Sequence, residues 1–523
     1  MIRRSVFTSA LVLVAVLGTA AAAHGADSTS AAGSSTTLPP VTAADWPSAG
    51  HDLGDSHSAP AEHTISPSNV GGLRPKWVAT TGGNVAGTPT VVGGSVYATD
   101  QGGRIRAVDA ASGRVRWDRA VGDVTGVPGD LSRNSPAYWQ GELVSGDGWL
   151  GNPLLTGARV FGVRATDGRR LWSTVVDSTP AAIVTGSPVV ADGVAYVGVS
   201  SKSESESSSP TFRGSVVALD ATTGRILWRT AMVPPGYTGG AVWGSHPVVD
   251  LQHGHVVVGV GNNYTTPAGV CSTPGQTGCT PPSAADHIDS VVALDIATGK
   301  IAWSRSTLPA DTWTGGAPVG PDSDFGAGPN LVTTTIAGHR TTLIGIGQKS
   351  GTYWAIDPAT GRVVWKTAVG PGGDLGGIQW GTATDGSRIY AAVTNADGTP
   401  TTITSADGTT STTTHGLWAA LDPASGRILW QTAAPASGLP YSSLSVANGV
   451  LYSGTLDPSG PDMFALDART GAIRWSFASG GSVVDGPAVV NGVLYWGSGY
   501  DTQPFGFPFD GRNDQLFAFA LGR

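Results

Sequence analysis

Charge is scarce in this chain, and cysteine is scarcer. Only 13% of the 523 residues are Asp, Glu, Lys or Arg, and the balance is −8 at neutral pH. No basic stripe runs along any segment, which argues against nucleic acid as a partner, because that affinity is built on clustered Lys and Arg. Beyond the first 26 residues no apolar run reaches membrane-spanning length, so a stable membrane anchor is not expected. Few segments carry a helical period, which argues against a helical fold. The two cysteines, Cys271 and Cys279, stand in "GVCSTPGQTGC", and no Cys-x-x-Cys-His occurs, so haem attachment is excluded.

What the chain does have is 76 Gly, 35 Pro and 17 Trp. Short β-branched or alternating runs such as "GSVYATD" and "GVAYVGVS" are bounded by Gly, Asp or Asn, the pattern of strands and turns. The fold class is therefore all-β. The N-terminus, "MIRRSVFTSALVLVAVLGTAAAAHGA", places two Arg before an apolar run and small residues, so residues 1–26 read as a secretory signal peptide. Residues 27–44 are expected to be a disordered lead-in, with one domain over 45–523 and a secreted, extracytoplasmic location. In an exported protein the close pair Cys271 and Cys279 is most simply a disulfide.

One phrase recurs seven times. The copies end at Trp117, Trp172, Trp228, Trp303, Trp365, Trp430 and Trp475, each with Gly four residues earlier. Six carry Asp eight residues before the Trp; the second has Arg164 there. Each copy is a hairpin whose Asp bonds turn amides and whose Gly takes a positive φ. Its Trp supplies an apolar face between neighbouring sheets. Copies 45 to 75 residues apart suit four strands per unit, hence a β-propeller. The chain ends in "QLFAFALGR", a hairpin strand without its Trp partner, and an orphan strand ends at Trp77. Joining them closes the ring and makes eight blades.

Repetition explains architecture, so chemistry is sought where the copies differ. The non-repeating stretches 197–214, 236–250, 258–267 and 308–331 hold carboxylates, side-chain amides and a Trp outside the repeat register. Glu and Asn oxygens suit a hard cation such as calcium. The Trp of "TGGAVWGS" offers a flat face to an aromatic cofactor. The Thr-rich stretch 395–416 reads as a solvated loop.

The Ala-x-Asp-x-x-Thr-Gly-x-x-x-Trp repeat, with "GYTGGAVWGSHPVVD", "VGVGNNY" and "GPDSDFGAGP", resembles the pyrroloquinoline quinone (PQQ) dehydrogenases, most of all their polyvinyl-alcohol branch. The resemblance implies Trp243 beneath the PQQ ring, and Thr185, Ser201, Lys349 and Arg133 as further cofactor contacts. It implies Glu204 and Asn262 as ligands to Ca2+ or another hard cation. The cysteine pair of the methanol-type enzymes has no counterpart, Ala86 replaces an active-site Glu, and Thr314 stands where their catalytic Asp would be. A hydroxyl is a poor general base. Asp311, Asp322 and Asp324 are nearby, with Asp324 preferred and Asp311 next. The implied function is a secreted quinoprotein oxidising secondary, possibly polymeric, alcohols. With no haem domain, its electrons pass to a separate acceptor such as a cytochrome c. The alternative is a non-catalytic propeller serving as a binding or assembly scaffold.

Overall fold

A computed structural model of the chain describes residues 40–206, 210–244, 246–315, 320–435, 438–502 and 510–522. The expected signal peptide and most of the lead-in lie outside them. Every described residue belongs to one compact unit, Leu38–Arg523. Among the described residues no helix is long and apolar enough to cross a membrane.

The unit is an eight-bladed propeller of antiparallel sheets. Blade 1 shows the plan, with strands Thr90–Val92, Ser95–Asp100, Arg104–Asp109 and Val115–Ala120 running from the axis outwards. The eighth blade is assembled from both chain ends. Its outer strand Leu73–Thr80 pairs with Gln515–Leu521, setting Trp77 opposite Ala518 and Val78 opposite Phe517. That joint replaces two open edges with a full ladder of hydrogen bonds.

The repeated phrase does two jobs at once. In six copies the Trp indole donates to the carbonyl that follows the turn-opening residue of the next blade: Trp117 to Ala165, Trp172 to Ala221, Trp228 to Ile296, and so on to Trp430 and Ala468. Trp77 joins the series through Ala110. The ring then lies against the next blade's repeat Gly. A Cβ on Gly299 would stand 2.5 Å from the Trp228 ring, and its φ is +68°. Gly is thus required by backbone and by packing together. Gly299→Ala should cost about 1–3 kcal/mol from overpacking alone, read as a lower midpoint in urea with an unchanged slope.

Two features depart from the sequence reading. Residues 401–404 and 410–413 pair as a hairpin, so the stretch expected to be a solvated loop is partly a ladder. Its threonines favour extended backbone, and Ile403 is buried. Residues 46–62, read only as the start of the domain, form a strap around the inner strands. Backbone bonds tie Trp46 to Val91, Pro47 to Tyr138, Leu53 to Val249, Gly54 to Leu331, Ser56 to Thr384 and His57 to Val446. Glu62 then accepts from Gly492. The strap satisfies amides of inner strands that have no further neighbour toward the axis.

Candidate active site

The axial site begins with Trp243, on the loop leading into blade 4. Its indole N–H donates to Asp324 Oδ2 at 2.8 Å. The other oxygen of Asp324 accepts the backbone N–H of Asn262 at 2.7 Å. Gly261 allows this approach, since a Cβ there would stand 2.9 Å from the Asp324 carboxylate. The Asn262 side chain donates to the Trp313 carbonyl and hydrogen-bonds Glu204. Thr185 donates to the Trp243 carbonyl at 2.9 Å. Lys349 Nζ sits 5.1 Å from the Trp243 ring centroid and 5.6 Å from that of Trp313, and donates to Asp322 Oδ2 at 2.6 Å.

This corner holds more acid than base. Glu204, Asp289, Asp311, Asp322 and Asp324 act on one another, and Lys349 is the buried cation among them. Burial, then the charge of Asp324, pushes Glu204 up to about 8. Burial pushes Asp322 up to about 7 against the pull of Lys349, and Asp311 up to about 6. Asp289, buried beside Asp311 and Asp324, is held well above the carboxylate range. Lys349 is held protonated by Asp322, Asp324 and Glu204 in spite of its burial. Among the described residues, Asp322 Oδ1 is buried without a hydrogen-bond partner, and Asp311 shares a side-chain hydrogen bond with Asp289.

A cavity adjoins this corner. Ala86, Arg133, Thr185, His246, Trp380, Ser443 and Asp485 line it. They come from the segments entering seven different blades, so the cavity lies on the propeller axis. Arg133 is 5% exposed, its Nε has no partner among the described residues, and its guanidinium lies 4.2 Å from the Trp380 ring centroid. Trp380 in turn meets Trp243 edge-on at 5.5 Å. Trp380 has φ +63°, an uncommon state for a bulky residue.

The PQQ family model described as glucose/ethanol/alcohol dehydrogenase, β-propeller domain, matches residues 46–371. The chain belongs to that family. A second model, that of the outer membrane protein assembly factor BamB, matches residues 414–506. The polyvinylalcohol dehydrogenase of Sphingopyxis sp. (strain 113P3) is 31% identical over 490 residues, 82% of this chain and 68% of that protein. That of a Pseudomonas sp. is 27% identical over 521 residues, 87% and 74% of the two chains. The solved quinohemoprotein alcohol dehydrogenase from Comamonas testosteroni superposes with a TM-score of 0.68 at 20% identity, covering 92% of this chain and 81% of that one. At that identity it speaks for the fold.

Against this PQQ-family background, Trp243, Glu204, Asn262, Lys349 and Thr185 share one network although they come from three successive blades. Arg133 reaches it through Trp380. Ser201 stands behind: its hydroxyl contacts the Ala181 carbonyl and Ser203, bracing the turn that presents Glu204. Ala86 lines the cavity. Cys271 and Cys279 are bonded to each other, and their loop reaches the site segment where Thr312 donates to the Ser272 carbonyl at 2.6 Å. Sequence reasoning missed Trp380 and Gln379, whose Oε1 is buried without a partner among the described residues. They lie in "GGIQWG", a break in the repeat that signalled them.

The family's groups fit these residues. A buried guanidinium with an unpartnered nitrogen suits a carboxylate, the Trp243 face suits a fused aromatic ring, and surplus buried carboxyls suit a hard cation.

Proposed function

We propose that the chain is a PQQ-dependent alcohol dehydrogenase whose substrates are secondary alcohols of the polyvinyl-alcohol kind. What supports this reading is the bonded network from Thr185 through Trp243, Asp324 and Asn262 to Glu204, with Lys349 over the Trp243 face. PQQ, when bound, supplies the two-electron acceptor, and a hard cation such as Ca2+ the Lewis acid. Trp243 would floor the cofactor, Arg133 would meet one of its carboxylates, Lys349 would face a quinone oxygen, and Glu204 with Asn262 would hold the cation.

The expected carboxylates divide by geometry. Asp324 has both oxygens committed, to Trp243 and to Asn262, which makes it a positioning residue. Asp311 bonds the Trp313 amide at 2.8 Å and shares its pocket with Asp289. Asp322 Oδ1 has no hydrogen-bond partner among the described residues, and Oδ2 accepts from Lys349. It is the best-placed group to take the alcohol proton, and its titration near 7 suits a general base. Thr314 then needs no catalytic role. The electrons would leave to an acceptor outside this chain, such as a cytochrome c, and the N-terminal segment would direct export.

The test is titration of the purified apo-protein with PQQ and Ca2+, followed by Trp fluorescence and by dye-linked oxidation of a secondary alcohol. Trp243→Ala should weaken PQQ binding by about 1–3 kcal/mol, the worth of a buried stacked face. Absence of PQQ binding by the wild type would leave the scaffold reading.

A further inference from the structure

The axial cavity also reaches the strap. His57 and His246 line it there. His57 Nε2 lies 2.8 Å and His246 Nδ1 3.0 Å from the same oxygen of Asp55. Asp55 and the His246 side chain are fully buried, and His57 is 2% exposed. The arrangement is built at a conformational cost. Asp55 and His57 hold φ of +53° and +50°, and His51 one of +76°, values that non-glycine residues avoid. Gly50 is required as well, since a Cβ there would stand 1.8 Å from Asp55 Oδ1.

The protons can be placed. Asp55 draws His246 toward its charged form against the effect of burial. The Gly50 N–H, however, points at His246 Nε2 from 2.9 Å. A donor facing that nitrogen requires it bare, so His246 is neutral with its proton on Nδ1, toward Asp55. His57 is the flexible member. Its Nε2 faces Asp55, and its Nδ1 is buried without a partner among the described residues. With His57 neutral, this part of the cavity carries the full negative charge of Asp55. With Nδ1 protonated, the pair is neutral and presents one more donor.

We propose that His57 is a proton-linked anchor of the cofactor pocket: a carboxylate of the bound cofactor entering the cavity beside His57 is matched by one proton taken from solvent onto His57 Nδ1. This rests on the PQQ reading above. The groups facing His57 are consistent with it. On the strap these are Asp55, with His51 and Asp52 close in sequence. From the blades they are His246, the Ser443 hydroxyl, Tyr353 behind Asp55, and, across the cavity, Arg133 and Asp485. Burial holds Asp485 well above the carboxylate range, so Arg133 has to offset Asp55 and an incoming anion, and one added proton removes that imbalance. By linkage, a ligand that favours protonated His57 binds more tightly as pH falls.

Calorimetric titration of PQQ into the Ca2+-loaded protein, in buffers of different ionisation enthalpy, counts the protons exchanged. Saturating Ca2+ first keeps Glu204 and its neighbours from contributing. The wild type should take up about one proton over the pH range where its affinity varies, with affinity falling up to about tenfold per pH unit there. His57→Gln should take up none, and its affinity should be lower and flat with pH. The 15N signal of His57 Nδ1 in the wild type should pass from the bare to the protonated position on adding PQQ, a readout independent of whether the variant folds. Uptake unchanged in His57→Gln, or a Nδ1 signal unmoved by bound PQQ, overturns the proposal and leaves PQQ binding standing. A wild type that binds no PQQ overturns both.

Discussion

Asp322→Asn is expected to bind PQQ within a few-fold of the wild type and to oxidise alcohols about 10²–10⁴ times more slowly, the usual worth of a positioned general base. The amide can still accept from Lys349, so the contact at Lys349 survives while the basic oxygen is lost. Asp324→Asn should behave differently. Its single amide oxygen cannot accept from both the Trp243 indole and the Asn262 amide, so one donor is left unpaired in a buried place, at about 1–3 kcal/mol. PQQ affinity should then fall along with the rate, and the Trp243 fluorescence of the apo-protein should shift. Stopped-flow reduction of bound PQQ and equilibrium titration separate the two effects. An Asp322→Asn protein with the full wild-type rate would move the base to Asp311.

The second large effect is on stability. Lys349→Met removes the buried cation that compensates Glu204, Asp322 and Asp324. Breaking a buried pair on one side costs about 3–5 kcal/mol, so the metal-free variant should unfold at markedly lower denaturant. The wild type should show a related pH dependence. In the metal-free fold Glu204, Asp322 and Asp311 hold their protons up to about 8, 7 and 6, against about 4 in an unfolded chain. Between those limits the folded state binds more protons than the unfolded state, so these groups make stability fall as pH rises from about 4 to about 8. A hard cation should reverse the trend at the alkaline end, by about 2.7 kcal/mol at a hundred times its Kd. Melting curves at pH 5 and pH 8, with and without Ca2+, check the sign.

The sequence by itself determined the ring. The spacing of Asp, Gly and Trp specifies a turn, a positive φ and a wedge, and all three are local requirements that repeat wherever a blade repeats. The orphan strand at Trp77 and the unfinished "LFAFAL" specify the closure for the same reason, since an unpaired edge must find its complement. The breaks in the repeat held Trp243, Glu204 and Asn262, and the family resemblance added Lys349; the fold brings these four together.

Only the tertiary structure decided which partners each acid meets. Asp311, Asp322 and Asp324 are alike in sequence and within 13 positions of one another. Their surroundings part because one faces Asp289, one Lys349, and one the Trp243 indole with the Asn262 amide. Those partners come from other blades, at separations that no local pattern encodes. The strap was hidden for the same reason. Residues 46–62 lack period because Trp46, Pro47, Leu53, Gly54, Ser56, His57 and Glu62 each bond a different blade, and His57 acquires its partners only when His246, almost 190 positions away, is carried round to the axis.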